Sequence, residues 1–368
     1  MQRDVDEKWM RLALELAQRG EGFVEPNPMV GCVVVRDERA IGQGFHRRFG
    51  EAHAEVNALI RAPDAVGATA YVTLEPCCHQ GKTPPCTNAL LVARVARVVV
   101  ATLDPFSQVS GGGVQQLREA GVQVDVGVLE PEAMQLNAPY FKRVQTGRPW
   151  VIAKWAMTLD GKIATALLDS RWISSEPSRQ FIHQIRGRVD AIIVGSRTAQ
   201  HDDPLLTARP PGSRYATRVV FDSRLELSPS SQLVRTVADA PVLLVAQNPA
   251  PDRQQLFEKL GCQVFDTAAS QNSGSVDIVL EELGRRGMTN VLVEGGSMLL
   301  GSFFDARQID EVIVFVAPKL IGGEAALSPI DGQGISQMCD AIQLGDFKST
   351  RFGNDICLRG RLAWEAKP

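Results

Sequence analysis

Three short segments hold residues that could do chemistry together: His53-Ala54-Glu55, Glu75-Pro76-Cys77 and, nine positions on, Cys86. One imidazole and two thiolates supply three ligands for a zinc ion and leave a fourth position open for water, which is the mark of a catalytic site. Such a metal makes bound water acidic near neutral pH. The attack this permits is on an amidine-like ring carbon that bears an amino group. A carboxylate must then carry the water's proton to the ring nitrogen and help protonate the departing ammonia. Glu55 stands two positions from His53 near a helix start, where it reaches the water without binding the metal. Cys86 also opens an expected helix, whose dipole favours a thiolate. The chemistry expected is hydrolytic deamination, with one zinc per chain on His53, Cys77 and Cys86 and with Glu55 as catalytic acid and base.

Plainer readings compete. A histidine before an acidic helix face is usually surface, and paired cysteines can close a structural zinc site. Structural sites, however, generally take four protein ligands and do not call for an adjoining His-Ala-Glu. Cys78 and His79 compete with Cys77 as ligands. Cys77 is favoured because it directly follows Pro76, as in the zinc-deaminase signature of His-x-Glu with Pro-Cys-x-x-Cys. Here eight residues rather than two separate the outer cysteines.

The background is that of a folded enzyme. The 368 residues suggest two domains of ordinary size, and 44% hydrophobic with 22% charged residues is a globular composition. A formal net charge of −3 leaves no basic surplus for a polyanion, so nucleic acid is not the expected substrate. The start is polar and acidic, unlike a secretory signal, and no apolar run approaches the roughly 20 residues needed to span a bilayer. A cytoplasmic protein without membrane contact is expected. Of seven cysteines, Cys77, Cys78 and Cys86 cluster, which in a reducing compartment suggests metal or catalysis. Cys32, Cys262, Cys339 and Cys357 sit singly among apolar residues and read as small hydrophobes.

The elements that must hold these groups follow from periodicity. Trp9, Leu12, Ala13, Leu16 and Ala17 recur at helical spacing within Asp6 to Gln18. Strands are expected at Val30 to Val35, Ala70 to Leu74, Val98 to Leu103 and Val122 to Val128. Helices are expected after His53, from Cys86 to about Val95, and over Gly113 to Ala120. This alternation argues for an α/β layered unit. Gly147-Arg148-Pro149 breaks the pattern, and the boundary is placed there, giving domains 1–147 and 148–368. The second half restarts with a strand at Trp150 to Ala156. It continues with a helix over about Pro177 to Arg188 and strands at Ala191 to Val194, Arg218 to Phe221, Pro241 to Val245, Val291 to Val293 and Glu311 to Val316. The segment from Ala208 to Thr217, with Pro210-Pro211-Gly212, is the most loop-like. Glu294-Gly-Gly-Ser297 follows a strand and opens a helix, Ser297 to Phe304, where backbone amides could meet a phosphate. It is not a GxGxxG fingerprint. Arg186 and Arg209 suit a sugar phosphate. Lys154 and Asp202 are the polar groups nearest these motifs.

At this point the chain resembles a known family. His53-Ala-Glu55-Val, Thr73-Leu-Glu-Pro-Cys77 and Gly81-Lys-Thr-Pro-Pro-Cys86, preceded by Pro26-Asn-Pro28, are similar to the bifunctional riboflavin-biosynthesis deaminase/reductase. Leu159-Asp-Gly161, Ser170-Arg-Trp-Ile173, Asp202-Asp-Pro204 and Val293-Glu-Gly-Gly296 carry the likeness through the second half. The resemblance implies a cytidine-deaminase-like three-layer domain followed by a dihydrofolate-reductase-like α/β domain. It implies hydrolytic deamination of 2,5-diamino-6-(5-phosphoribosylamino)pyrimidin-4-one, then NADPH-dependent reduction of the ribosyl side chain to ribityl. Substrate contacts carry over to Asn27 and Lys82 in the first domain and to Ser170, Arg186, Leu206, Arg209 and Glu294 in the second. Cofactor contacts carry over to Ala156, Trp172, Thr198, Asp202, Ser223, Gly296, Ser297, Met298, Leu299, Leu300, Gly301 and Ser302. Arg197 and Arg224 lie near these positions as candidates for a 2′-phosphate. The partner is a small pyrimidine ribosyl phosphate, and a homo-oligomer is expected.

Two rivals remain. A zinc deaminase of another nucleobase or nucleoside would share the metal motifs but not the second half. A nucleic-acid deaminase should show basic and aromatic residues at the pocket, yet aromatics are 6% and no basic run exists. A zinc-stabilised binding protein without catalysis would not need Glu55.

Overall fold

The structure, a computed structural model, describes residues 2–80, 84–269 and 275–364. Two compact units divide the chain, Met1–Gly147 and Arg148–Pro368. Among the described residues no helix is long and apolar enough to cross a membrane.

The first unit is built on strands β1 (Gly31–Arg36), β2 (Arg39–Phe45), β3 (Thr69–Val72), β4 (Arg97–Val100) and β5 (Gln123–Val126), in the order β2-β1-β3-β4-β5. β1 runs antiparallel to β2 and β3, and β3, β4 and β5 are parallel. Helices α1 (Gln2–Ala17), α2 (Ala54–Leu59), α3 (Cys86–Val92), α4 (Gly112–Glu119), α5 (Glu130–Leu136) and α6 (Ala138–Thr146) complete it. Alternation along the strands sends side chains to two cores. Cys32, Val34, Ala70, Val72, Val98 and Val100 pack under α2, α3 and α4, while Val33, Val35, Tyr71 and Val99 pack under α1 and α5. These are the three layers expected.

The sequence reading passed over β2, whose Gly42 and Gly44 weaken a strand pattern. The glycines are there because α2 lies directly on the strand. A Cβ at Gly44 would stand 2.4 Å from Ala58 N and 2.5 Å from Ala54 O. That close approach seats α2, which begins directly after His53 and carries Glu55.

The second unit holds a nine-stranded sheet. Its strands are β6 (Trp150–Thr158), β7 (Ala191–Gly195), β8 (Thr217–Phe221), β9 (Val242–Ala246), β10 (Gln263–Asp266), β11 (Asn290–Gly295), β12 (Glu311–Ala317), β13 (Leu344–Phe352) and β14 (Asp355–Leu362). Their order is β10-β9-β8-β7-β11-β6-β12-β14-β13, parallel from β10 to β12 and closed by an antiparallel hairpin. Both faces are covered, as a parallel sheet requires. Ile192, Val194, Val220 and Leu244 meet Ile182 of α7 (Glu176–Arg186), Leu233 of α9 (Gln232–Arg235) and Phe257 of α10 (Pro251–Lys259). Ile193, Val219 and Val293 meet Val279 of α11 (Ser275–Arg285) and Phe303 of α12 (Ser297–Asp305). A short helix, α8 (Ser196–Asp202), follows β7. The hairpin β13-β14 was not legible because β13 is exposed nearly throughout and has no apolar alternation.

Candidate active sites

In the first unit, His53 Nδ1 lies 3.5 Å from Cys77 Sγ and 3.3 Å from Cys86 Sγ. The three ligand atoms all fall within 4.8 Å of one another. His53 is the residue before α2 and Cys86 is the first of α3, so two helix starts and the loop after β3 supply the donors. The donor set of one nitrogen and two sulfurs fits zinc with a position left for water. Cys86 donates its backbone N–H to Cys77 Sγ at 3.3 Å. The Cys86 thiol and that N–H, with His53 alongside, hold Cys77 well below the usual thiol range despite burial. The same pairing and burial push Cys86 up. Hydrogen bonding to Cys77 raises His53, against the pull of burial.

Glu55 is 3% exposed and shares a hydrogen bond with Cys86. Burial first, then the charge of Cys77, raise its carboxyl to about 7. Cys78 lies outside the cluster, with its sulfur 3.8 Å from Gln108 O. Tertiary structure thus separates two neighbours that spacing left open. Cys86→Ala is expected to lose most of the zinc and Cys78→Ala to keep it, as elemental analysis of the two purified variants checks. Full zinc occupancy in the first would remove Cys86 from the ligand set.

Asn27 is tied to this centre through a residue the sequence reading missed. Its Nδ2 lies 3.1 Å from His46 Nε2, and the His46 ring stands edge-on to His53 with centroids 5.2 Å apart. An amide N–H donates, so His46 accepts at Nε2 and carries its proton on Nδ1, which reaches Ala52 O at 3.2 Å. Burial lowers the His46 pKa, in keeping with a neutral ring. His46 sits just beyond β2, in the stretch whose strand was not read. Lys82 lies outside the described residues.

In the second unit a cavity of about 1530 Å³ opens beside the sheet. That exceeds the 300–1,000 Å³ of ordinary small-molecule pockets. It leaves room for a dinucleotide and a second ligand together. It brings together Ala156, Trp172, Thr198, Asp202, Ser223, Gly296, Ser297, Met298, Leu299, Leu300 and Ser302 with Ser170, Arg186, Leu206, Arg209 and Glu294. Gly301 is not among its lining residues. A Cβ there would stand 2.2 Å from Asp331 O, so this glycine serves packing against the 331–332 backbone. The first turn of α8 and the turn after β11 approach each other, since a Cβ on Gly296 would lie 3.2 Å from Thr198 Oγ1.

Arg186, expected to fork a sugar phosphate, forks Glu294 instead, with Nε to Oε1 at 2.6 Å and Nη2 to Oε2 at 2.8 Å. Both side chains are largely buried. Burial alone would raise Glu294, but Arg186 and then Lys154 bring it down to about 2. Lys154, on β6, lines the same cavity, and burial lowers its pKa against the opposing charge of Glu294. Arg209 is exposed at the cavity and is the freer cation for a phosphate. Arg197 also lines the cavity, with Nη1 3.2 Å from Met298 Sδ, whereas Arg224 pairs with Glu226 at 3.1 Å and lies off the lining.

A three-donor metal cradle beside a buried carboxylate in one unit, and a dinucleotide-sized cavity in an α/β reductase-type unit, define a two-part enzyme. Residues 3–102 match the family described as cytidine and deoxycytidylate deaminase zinc-binding region, and residues 149–358 match the RibD C-terminal domain. The riboflavin biosynthesis protein RibD of Actinobacillus pleuropneumoniae is 40% identical over 355 residues, covering 96% of this chain and 94% of that protein. RibD of Escherichia coli (strain K12) is 40% identical over 371 residues, covering 96% and 98%. A solved structure of Acinetobacter baumannii RibD superposes with a TM-score of 0.87 at 36% identity, covering 98% of this chain and all of that one. The Thermotoga maritima protein, described as a diaminohydroxyphosphoribosylaminopyrimidine deaminase/5-amino-6-(5-phosphoribosylamino)uracil reductase, gives 0.84 at 34%, covering 99% and 100%. This chain belongs to the RibD family of bifunctional riboflavin-biosynthesis enzymes, with a zinc-binding deaminase domain followed by a reductase domain that uses a nicotinamide cofactor.

Proposed function

We infer that residues 1–147 hydrolytically deaminate 2,5-diamino-6-(5-phosphoribosylamino)pyrimidin-4-one, and that residues 148–368 reduce the resulting ribosylaminouracil to its ribityl form with NADPH. The observation that carries this is one chain holding both the His53-Cys77-Cys86 cluster beside buried Glu55 and the large cavity around Lys154, Glu294 and the β11-α12 turn. The similar Thermotoga protein bears both activities in its description.

In the deaminase site, His53, Cys77 and Cys86 would hold zinc, which when bound supplies acidified water and polarises the reacting carbon. Glu55 takes one proton from that water and delivers it to the ring nitrogen. It then takes the remaining proton of the newly added hydroxyl and passes it to the amino group, which leaves as ammonia as the carbon–nitrogen bond breaks and the carbonyl forms. Asn27, its amide fixed by His46, presents Oδ1 to substrate donors. In the reductase cavity the nicotinamide ring, when bound, supplies a hydride. The ribosylamine must first open: the bond from C1′ to the ring oxygen breaks, the nitrogen lone pair forms a double bond to C1′, and the ring oxygen needs a proton. Lys154, lining the cavity, donates that proton in this reading, and Glu294, held by Arg186, orients the sugar hydroxyls. Arg209 takes the sugar phosphate. A reducing cytoplasm suits the free cysteine pair, and an assembly of identical chains belongs to the same reading.

Supplying the diaminopyrimidine tests the whole. Without NADPH the deaminated uracil and ammonia should accumulate, and with NADPH the product should gain two hydrogen atoms, as mass analysis reads. No ammonia from the zinc-loaded protein would sink the reading. NADPH rather than NADH is assigned to Arg197, because Arg224 already has Glu226. Arg197→Ala should weaken NADPH binding by about tenfold, the scale of one charged phosphate contact, and leave NADH binding unchanged. Direct titration of both nucleotides decides it, and equal loss for both would move Arg197 to the shared pyrophosphate.

A further inference from the structure

Glu75 is part of the Thr73-Leu-Glu-Pro-Cys77 motif, yet neither the metal nor the proton transfer uses it. It is 4% exposed, and its carboxylate gathers three backbone N–H groups from one downstream stretch. Oε2 accepts from Asp104 N at 3.2 Å and Gly111 N at 2.9 Å, and Oε1 accepts from Val114 N at 3.0 Å. Gly111 and Val114 bracket the start of α4, whose first N–H groups have no partner within the helix. Asp104 is itself fixed, taking Tyr140 Oη–H at 2.9 Å and Phe106 N at 2.9 Å on Oδ1. The helix start sits hard against the metal loop, since a Cβ on Gly113 would stand 2.1 Å from Pro76 O. On its other side the loop is held by α3, where Thr87 N and Thr87 Oγ1 lie 3.2 and 3.4 Å from Cys77 O. Thr87 Oγ1 also reaches Gln116 Oε1 of α4 at 2.7 Å.

We propose that Glu75 is a positioning residue of the deaminase centre, whose carboxylate locks the Pro76-Cys77 turn onto the start of α4 and thereby sets where the Cys77 sulfur stands relative to His53 and Cys86. It is not a second proton carrier. Both its oxygens are taken up by backbone N–H groups, which have no proton to exchange in the reaction. Outer partners that fix a metal ligand typically change metal affinity or activity by about 10–100-fold when removed. Glu75 does this through the backbone of the ligand loop rather than by touching sulfur. The proposal rests on Cys77 being a ligand.

The test uses the full chain, with Glu75→Ala and Glu75→Gln compared in zinc and in cobalt(II) forms. Glu75→Ala should release zinc to a chelator about 10–100-fold faster, alter the cobalt–thiolate absorption bands, and lower kcat for ammonia release more than it raises KM. Glu75→Gln keeps one carbonyl oxygen as acceptor and should fall between Ala and the parent. NADPH-dependent reduction of pre-deaminated substrate should be unchanged in both and reports that the second unit is folded, while a parental far-ultraviolet circular-dichroism spectrum reports that the whole chain is. Should Glu75→Ala not fold, Glu75→Gln carries the comparison. Folded variants with parental cobalt bands, zinc release and kcat would overturn the positioning role. Cys77→Ala separates the two failures. If it keeps its zinc, the metal assignment has failed. If it loses zinc while the Glu75 variants behave as the parent, only the present proposal has.

Discussion

Replacing Glu55 by glutamine lowers ammonia release by about 100-fold or more, the scale of a lost general acid–base group, while zinc stays bound and reduction of pre-deaminated substrate continues. The amide fills the same volume, so the buried packing of the Glu55 side chain on α2 survives. What disappears is a group that can both take and give a proton. Burial sets the Glu55 carboxyl at about 7, and the charge of Cys77 pushes the same way while His53 opposes. A bound dication adds a pull toward the carboxylate. The group is therefore a base when water must be deprotonated and is still acidic enough to protonate ammonia as it leaves. Ammonia release and zinc content, measured on one sample of the variant, check this. Deamination near the parental rate would remove Glu55 from the mechanism.

Lys154→Met produces the matching loss in the second unit. Reduction should fall by about 100-fold or more, again the scale of proton transfer by a positioned side chain, with NADPH still binding and deamination untouched. Methionine keeps most of the lysine's length, so lost packing is small. Burial lowers the Lys154 pKa, and Glu294 beside it works against that lowering. The sign of the pH dependence follows. The donor must be protonated, so the parental rate falls as pH rises through the Lys154 pKa, and it does so earlier than for an ordinary lysine. The basic limb should be missing from the residual activity of the variant. A variant that reduces at near the parental rate, or keeps the same basic limb, would reassign the proton donor. Glu294, brought down to about 2, stays ionised throughout that range and holds Arg186.

Much of this was legible because the chemistry is local in the sequence. His53 and Glu55 are two positions apart and sit at a helix start, so the roles proposed for them were suggested by residue type and spacing. Strands such as β1 and β7 announce themselves by continuous valine and isoleucine, and α1 by its apolar stripe. Elements without such a pattern were missed for definite reasons. β2 carries glycines that admit α2, and β13 lies exposed at the sheet edge where no burial imposes alternation.

The sequence by itself determined the kind of metal centre, the division into two α/β halves and, through motifs spread over both, the family. These depend on residue types and short spacings that folding does not alter. Only the tertiary structure decided which of two adjacent cysteines faces His53, because one backbone step in a loop turns a side chain to the other side. It alone showed that Arg186 is bound to Glu294 across 108 positions, that Lys154 shares their cavity, and that Glu75 gathers N–H groups up to 39 positions away. Such partnerships are made by the crossing of strands and helices, and no local spacing records them.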